Sequence, residues 1–325
     1  MAEFDLPLSE LENYRPTVRR PEDLESFWRS TLEESRRRAW APRWERADTG
    51  LALLDTYDLT FSGFDGQPVR AWVHVPAGAP GPLPVVTEFH GYGGSRGVAW
   101  QNTFYAMAGY VHVTVDSRGQ GWSEAGSTPD PDKDAGASTV PGLMTKGIAH
   151  RDTYYYRRLY TDAALAVDAV RELPWADPAR VAVTGTSQGG GLAIAAAALT
   201  PDVSAVAADV PFLCGFERAM QITDRAPYSE IVEYLARYRD RVERTLEVLS
   251  YFDGINLATW AQAPALFSVG LRDETCPPST GFAAFNAWAS PDKQMAVYRY
   301  NDHEGGSEYH LRRKLAFLAE HLRRP

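Results

Sequence analysis

An α/β fold is what this sequence predicts: a single domain over residues 1–325 whose mostly parallel sheet is flanked by helices. Three observations lead there. Short apolar runs rich in β-branched residues occur at 83–89, 110–115, 180–184, 203–210, 265–269 and 295–300. Helical patterns at 161–173, 189–199, 280–289 and 307–323 separate most of them. Strand–helix alternation of this kind implies a parallel sheet covered on both faces, and strands buried on both faces read as continuous apolar runs. The third observation is length. A chain of 325 residues can bury roughly 75% of the surface its unfolded form exposes, so core-building is not limiting.

Each element follows in order. The first 50 residues read as a helical extension, in which residues 21–38 place Leu24, Phe27, Trp28 and Leu32 at helical spacing. Alternating runs at 56–61 and 69–75, joined by the turn residues Gly63 to Gly66, predict a hairpin. Set at the leading edge of the parallel strands, that hairpin completes an α/β-hydrolase-like plan. Two stretches break the alternation. Residues 121–156 are rich in Gly, Pro and Asp, and residues 212–251 read as one or two inserted helices. Long excursions of this kind tend to be functional loops, lids or interface arms, the competing reading being a surface insertion without a role.

Composition narrows the function. Hydrophobic residues make up 44% and charged residues 23%, and the net charge is −9. That balance argues against nucleic acid and against an anionic membrane as partner. Cys214 and Cys276 are too few for a disulfide framework, so a reduced compartment is expected. The opening stretch is acidic and polar, without the features of a signal peptide. No apolar run is long enough to span a bilayer. The expectation is a soluble, cytoplasmic protein.

The chemistry begins at Gly185-Thr186-Ser187-Gln188-Gly189, a G-x-S-x-G match that follows a strand and opens a helix. A turn this sharp strains the serine backbone and needs flanking residues without a Cβ. It would hold the Ser187 hydroxyl clear of the sheet, at the positive end of the helix. The bland alternative is a tight turn that tolerates a serine. A serine nucleophile needs a base, and the order for this fold is serine, acid, histidine. Downstream of Ser187 stand His303, His310 and His321. The last two lie in a helical pattern and read as packing or surface residues. His303 lies in a loop after the last strand and is the expected base. Asp273, after the run 265–269, is the expected acid, with Glu274 as runner-up and a purely local turn aspartate as the alternative. The oxyanion is expected on the backbone N–H of Gln188 and on that of Tyr92, within the glycine-rich His90-Gly91-Tyr92-Gly93-Gly94 turn. The Tyr92 ring would also be available to wall the pocket. His90 reads as structural. Arg118 reads either as a brace for the site loops or as an ordinary buried ion-pair partner. Neither cysteine has a ligand-spaced partner, and no H-E-x-x-H, G-x-G-x-x-G or P-loop match occurs, so no metal or cofactor is expected.

Arg118-Gly119-Gln120, Gly185-Thr186-Ser187-Gln188-Gly189 and His303-Glu304 occur here in one order and spacing. Together they resemble carbohydrate esterase family 7, the acetyl xylan esterases and cephalosporin C deacetylases. FDLPLSELENYRP, HGYGG, PGLMTKGI and TYYYRR agree, so the resemblance spans nearly the whole chain. It implies Ser187, Asp273 and His303 as catalytic triad and the N–H groups of Tyr92 and Gln188 as oxyanion donors. It also implies that Arg118, Gly119, Gln120, Gly185, Gly189 and Glu304 support the site. The implied activity is removal of acetyl groups from acetylated sugars and cephalosporin C-type esters. The implied assembly is a hexamer in which the 121–156 loop contacts neighbouring subunits; the inserted helices of 212–251 are read from the sequence as a lid. Thr186 is a departure, since the family often has glycine there. Two rival readings remain: a peptidase on the same elbow, and a hydrolase fold kept as a binding module.

Overall fold

Apolar residues fill both faces of the central strands, and the chain folds accordingly. The computed structural model describes residues 3–122, 128–130 and 141–322, so part of the expected 121–156 insertion, residues 123–127 and 131–140, lies outside the described residues. The helices are α1 (Leu8–Leu11), α2 (Leu24–Arg37), α3 (Phe104–Met107), α4 (Tyr155–Arg171), α5 (Gln188–Leu199), α6 (Phe216–Ile222), α7 (Tyr228–Arg237), α8 (Val242–Ser250), α9 (Gly254–Ala258), α10 (Pro278–Ala287) and α11 (Ser307–Leu322). The strands are β1 (Arg43–Ala47), β2 (Leu54–Ser62), β3 (Pro68–Pro76), β4 (Leu83–Phe89), β5 (Val111–Val115), β6 (Ala176–Thr186), β7 (Ala205–Asp209), β8 (Ala265–Gly270) and β9 (Lys293–Tyr298).

They form one sheet in the order β1-β2-β3-β5-β4-β6-β7-β8-β9. β1, β2, β3 and β5 pair antiparallel, and β5, β4, β6, β7, β8 and β9 run parallel. β5, β7 and β8 are buried at every position, as expected of strands covered on both sides. One face carries the larger core, in which α2, α4, α5 and α9 pack on Val85, Val183, Val206 and Phe267. On the other face Phe317, Leu318 and Leu322 of α11 and Tyr105 of α3 cover Val86, Ala182, Ala205, Leu266 and Ala296. This is the expected α/β architecture with its leading hairpin.

Three expectations change in detail. The first 50 residues are not helical throughout: Arg43–Ala47 form an edge strand on β2. Its RWERA sequence is mostly exposed, so no alternation of apolar residues marked it. The 212–251 stretch holds three helices, α6 to α8, where one or two were expected. α4 begins at Tyr155, not at 161, because Tyr155, Tyr156, Leu159 and Tyr160 are all buried. Among the described residues no helix is long and apolar enough to cross a membrane.

Candidate active site

β6 ends at Thr186 and α5 begins at Gln188, leaving Ser187 at the seam with φ 59° and ψ −119°. A non-glycine residue held there costs on the order of 1–3 kcal/mol, so its surroundings must hold it. They do. The Ser187 N–H donates to the carbonyl of Asp209 at 2.9 Å, and the Ser187 carbonyl accepts from the N–H groups of Phe212 (3.0 Å) and Gly191 (3.1 Å). The neighbouring glycines are obligatory on steric grounds. A Cβ at Gly185 would lie 2.4 Å from the backbone of Gly189, and one at Gly189 would lie 2.1 Å from the carbonyl oxygen of Phe89.

The Ser187 hydroxyl is 2.9 Å from His303 Nε2, and His303 Nδ1 is 2.8 Å from Asp273 Oδ2. A carboxylate only accepts, so Nδ1 carries the proton and Nε2 is left to accept from Ser187. Asp273 is fully buried and its other oxygen accepts from the N–H groups of Thr275 and Cys276, each at 2.8 Å. Burial raises its pKa, against the pull of His303 and those two N–H groups. Glu274 points elsewhere, to Arg225 at 3.2 Å. The His303 loop is braced by Glu304, whose carboxylate accepts from Asn301 Nδ2 (2.5 Å) and the Asp302 N–H (3.0 Å). His310 is a packing residue: it lies 2.9 Å from Asp209 Oδ1 and 3.0 Å from the Tyr298 hydroxyl. Lys314 donates to the other oxygen of Asp209 at 2.7 Å. Asp209, His310 and Lys314 are all buried.

Gln188 is the first residue of α5, where a backbone N–H has no intrahelical partner. Its side chain crosses to the loops after β4 and β5, with Nε2 3.3 Å from the His90 carbonyl. Gln188 Nε2 donates to Gln120 Oε1 (3.2 Å), and Gln120 Nε2 donates back to Gln188 Oε1 (2.9 Å). Gln120 Oε1 also accepts the Gly93 N–H at 2.7 Å. The Tyr156 hydroxyl donates to Gln188 Oε1 at 3.0 Å, and the Tyr155 hydroxyl donates to the Arg118 carbonyl at 2.5 Å. Gln120 thus ties the Tyr92–Gly93 turn to the start of α5. Arg118 is fully buried and grips Asp162 with two nitrogens, at 2.5 and 2.7 Å, and also reaches Gln67. Gly119 takes φ 68° and donates to the Thr128 carbonyl at 2.7 Å. Arg118 is thus a buried ion-pair partner whose side-chain contacts reach α4 and the β2–β3 turn.

The Tyr92 ring is partly buried. Its hydroxyl donates to Glu230 of α7, and the ring meets Trp122 and Phe212 edge-on at 5.3 and 6.4 Å. Asp162, Tyr155, Tyr156, Asp209 and Glu230 escaped the sequence reading as parts of this region. Asp162 does not stand out locally, since α4 also carries Asp168 and three arginines. The others act through partners too distant in the chain to be paired by eye. A cavity of about 260 Å³ lined by Tyr14, Glu217, Arg218, Asp253 and Thr280 excludes all three members of the hydrogen-bonded triad. Ser187, His303 and Asp273 bring an alcohol hydroxyl, an imidazole and a carboxylate together at the strand–helix seam, outside that cavity. Among the described residues no group of three or more His, Cys, Asp or Glu side chains is disposed to hold a metal ion.

The family described as acetyl xylan esterase matches residues 1–321. An acetyl xylan esterase from Paenibacillus sp. R4 is 37% identical and superposes with a TM-score of 0.90, over 98% of this chain and 100% of that one. Acetyl xylan esterase 1 from Thermoanaerobacterium sp. JW/SL YS485 is 31% identical, with a TM-score of 0.88 over 98% and 99% of the two chains. Acetyl esterase Axe7A of Xylanibacter ruminicola is 26% identical over 302 residues, 91% of this chain; the chain spans 66% of that relative's length.

Proposed function

The chain belongs to the acetyl xylan esterase family, a family of carboxylic ester hydrolases, and on that premise we propose that it removes acetyl groups from acetylated sugars through an acetyl-enzyme on Ser187. The observation that carries the reading is the unbroken chain from the Ser187 hydroxyl through His303 to buried Asp273, at 2.9 and 2.8 Å. Ser187 attacks the acetyl carbonyl while His303 takes its proton at Nε2. Asp273 keeps the imidazole in the tautomer that can accept, and stabilises the imidazolium that forms. The N–H groups of Tyr92 and Gln188 hold the oxyanion, aided by the positive end of α5. His303 then protonates the leaving alcohol, and a water molecule activated by the same residue releases acetate.

The proposed substrates are xylo-oligosaccharide acetates and cephalosporin C-type esters, as the resemblance to the family implies. A cytoplasmic setting fits the two cysteines, both unpaired and buried. Ser187→Ala should lower kcat toward an aryl acetate by roughly 10⁶, the loss found for removal of the serine in another serine hydrolase. A folded Ser187→Ala protein that keeps most of its activity would remove the assignment. Rates on acetyl, butyryl and longer esters beside peptide anilides test the substrate class. Faster cleavage of the anilides would favour the peptidase reading.

A further inference from the structure

We propose that Glu230, on the lid helix α7, is a positioning residue that sets the oxyanion loop through the hydroxyl of Tyr92. The proposal rests on the reading of the Tyr92 N–H as an oxyanion donor. Both Glu230 oxygens lie within reach of the Tyr92 hydroxyl, at 2.9 and 3.0 Å. One of them also accepts the Met144 N–H at 3.2 Å. The same hydroxyl accepts from the N–H groups of Leu143 (2.9 Å) and Gly142 (3.2 Å). One donor and two acceptor sites are all that a phenol offers, and here each is used. Residues 92, 142–143 and 230 come from three separate excursions of the chain and meet at this single oxygen.

The junction is stiff on every side. α7 is anchored by Tyr228 and Ile231, both fully buried, and the Tyr228 hydroxyl donates to the Cys214 carbonyl at 2.9 Å. The Tyr92 ring has two torsions and stands edge-on to Trp122 and Phe212, so fixing its hydroxyl fixes its Cα. The next amide, Gly93 N–H, is held by Gln120. The Tyr92 peptide is therefore clamped by its own side chain on α7 and by its neighbour's N–H on Gln120, in the loop after β5. Releasing the lid clamp lets the Tyr92 N–H drift from the oxyanion. Oxyanion donors act more strongly on the transition state than on the bound ester, so the loss belongs in kcat. A misplacement of about 1 Å costs on the order of 10²-fold.

The test measures aryl acetate hydrolysis by Glu230→Ala, Glu230→Gln, Tyr92→Phe and the double variant Glu230→Ala/Tyr92→Phe, with Ser187→Ala alongside. Thermal unfolding checks that each is folded. Glu230→Ala and Tyr92→Phe should each lose on the order of 10²-fold in kcat with KM nearly unchanged. Glu230→Gln keeps an acceptor for the phenol and should recover most of that loss. The double variant should be no worse than the poorer single one. Unchanged kcat in Glu230→Ala and Tyr92→Phe, losses that multiply in the double variant, or a loss confined to KM would overturn the proposal. If Glu230→Ala does not fold, Tyr92→Phe and Glu230→Gln decide: a slow phenylalanine variant beside a nearly normal glutamine variant supports the clamp, and two normal variants refute it. An inactive Ser187→Ala beside a fully active Glu230→Ala removes this proposal alone. An active Ser187→Ala removes the esterase reading beneath it.

Discussion

Asp273 has no spare hydrogen-bonding capacity that a neutral side chain could replace. One oxygen holds two N–H groups and the other holds His303. Asp273→Asn should present an N–H to His303 and favour the wrong tautomer. The expected fall in kcat is about 10⁴-fold with the fold intact, read from ester hydrolysis beside circular dichroism. The positions of Ser187, Asp273 and His303 were readable because each follows a strand in a loop with its own local signature. Glu230 and Asp162 were not, because nothing near them in sequence hints at Tyr92 or Arg118. Their partners lie 138 and 44 residues away, and only the folded sheet supplies the proximity.

At the scale of elements, the elbow depends on two backbones passing with no room for a methyl group. Gly189→Ala must push Cβ against the Phe89 carbonyl, so β4 or α5 has to shift. Overpacking against the main chain should cost about 3 kcal/mol or more in denaturant unfolding. Gly81→Ala, where a Cβ meets nothing within 4 Å, should cost nothing measurable. The antiparallel part of the sheet carries a pH dependence. His74 on β3 stands opposite His112 on β5, fully buried, and burial pushes its imidazole down to about 4, with His112 acting in the same sense. Below pH 6.5 the unfolded chain takes up a proton that the folded one refuses. The stability tied to neutral His74 is therefore present above pH 6.5 and lost as pH falls toward about 4. At ~1.4 kcal/mol per pH unit the loss is about 3 kcal/mol. His74→Gln should flatten that decline, as urea unfolding at pH 7 and pH 4 would report. The apolar strands were legible element by element, whereas β1 was not, since an exposed edge strand needs no apolar face.

For the whole molecule, the sheet order crosses over at β4 and β5, and no local pattern in the sequence announces that swap. The likeness to the family leads us to expect six copies of the chain. A solution mass near six times 36.0 kDa would agree, and a monomer at working concentration would not. The C-terminal helix is linked to Ser187 through a single residue. Asp209 steadies the strained serine with its carbonyl, while its carboxylate is engaged by Lys314 and His310 of α11. Tail and nucleophile are thus mechanically in series. A fusion or truncation that works the tail loose would show first as a slower enzyme, while the bulk of the protein still looked native to spectroscopy.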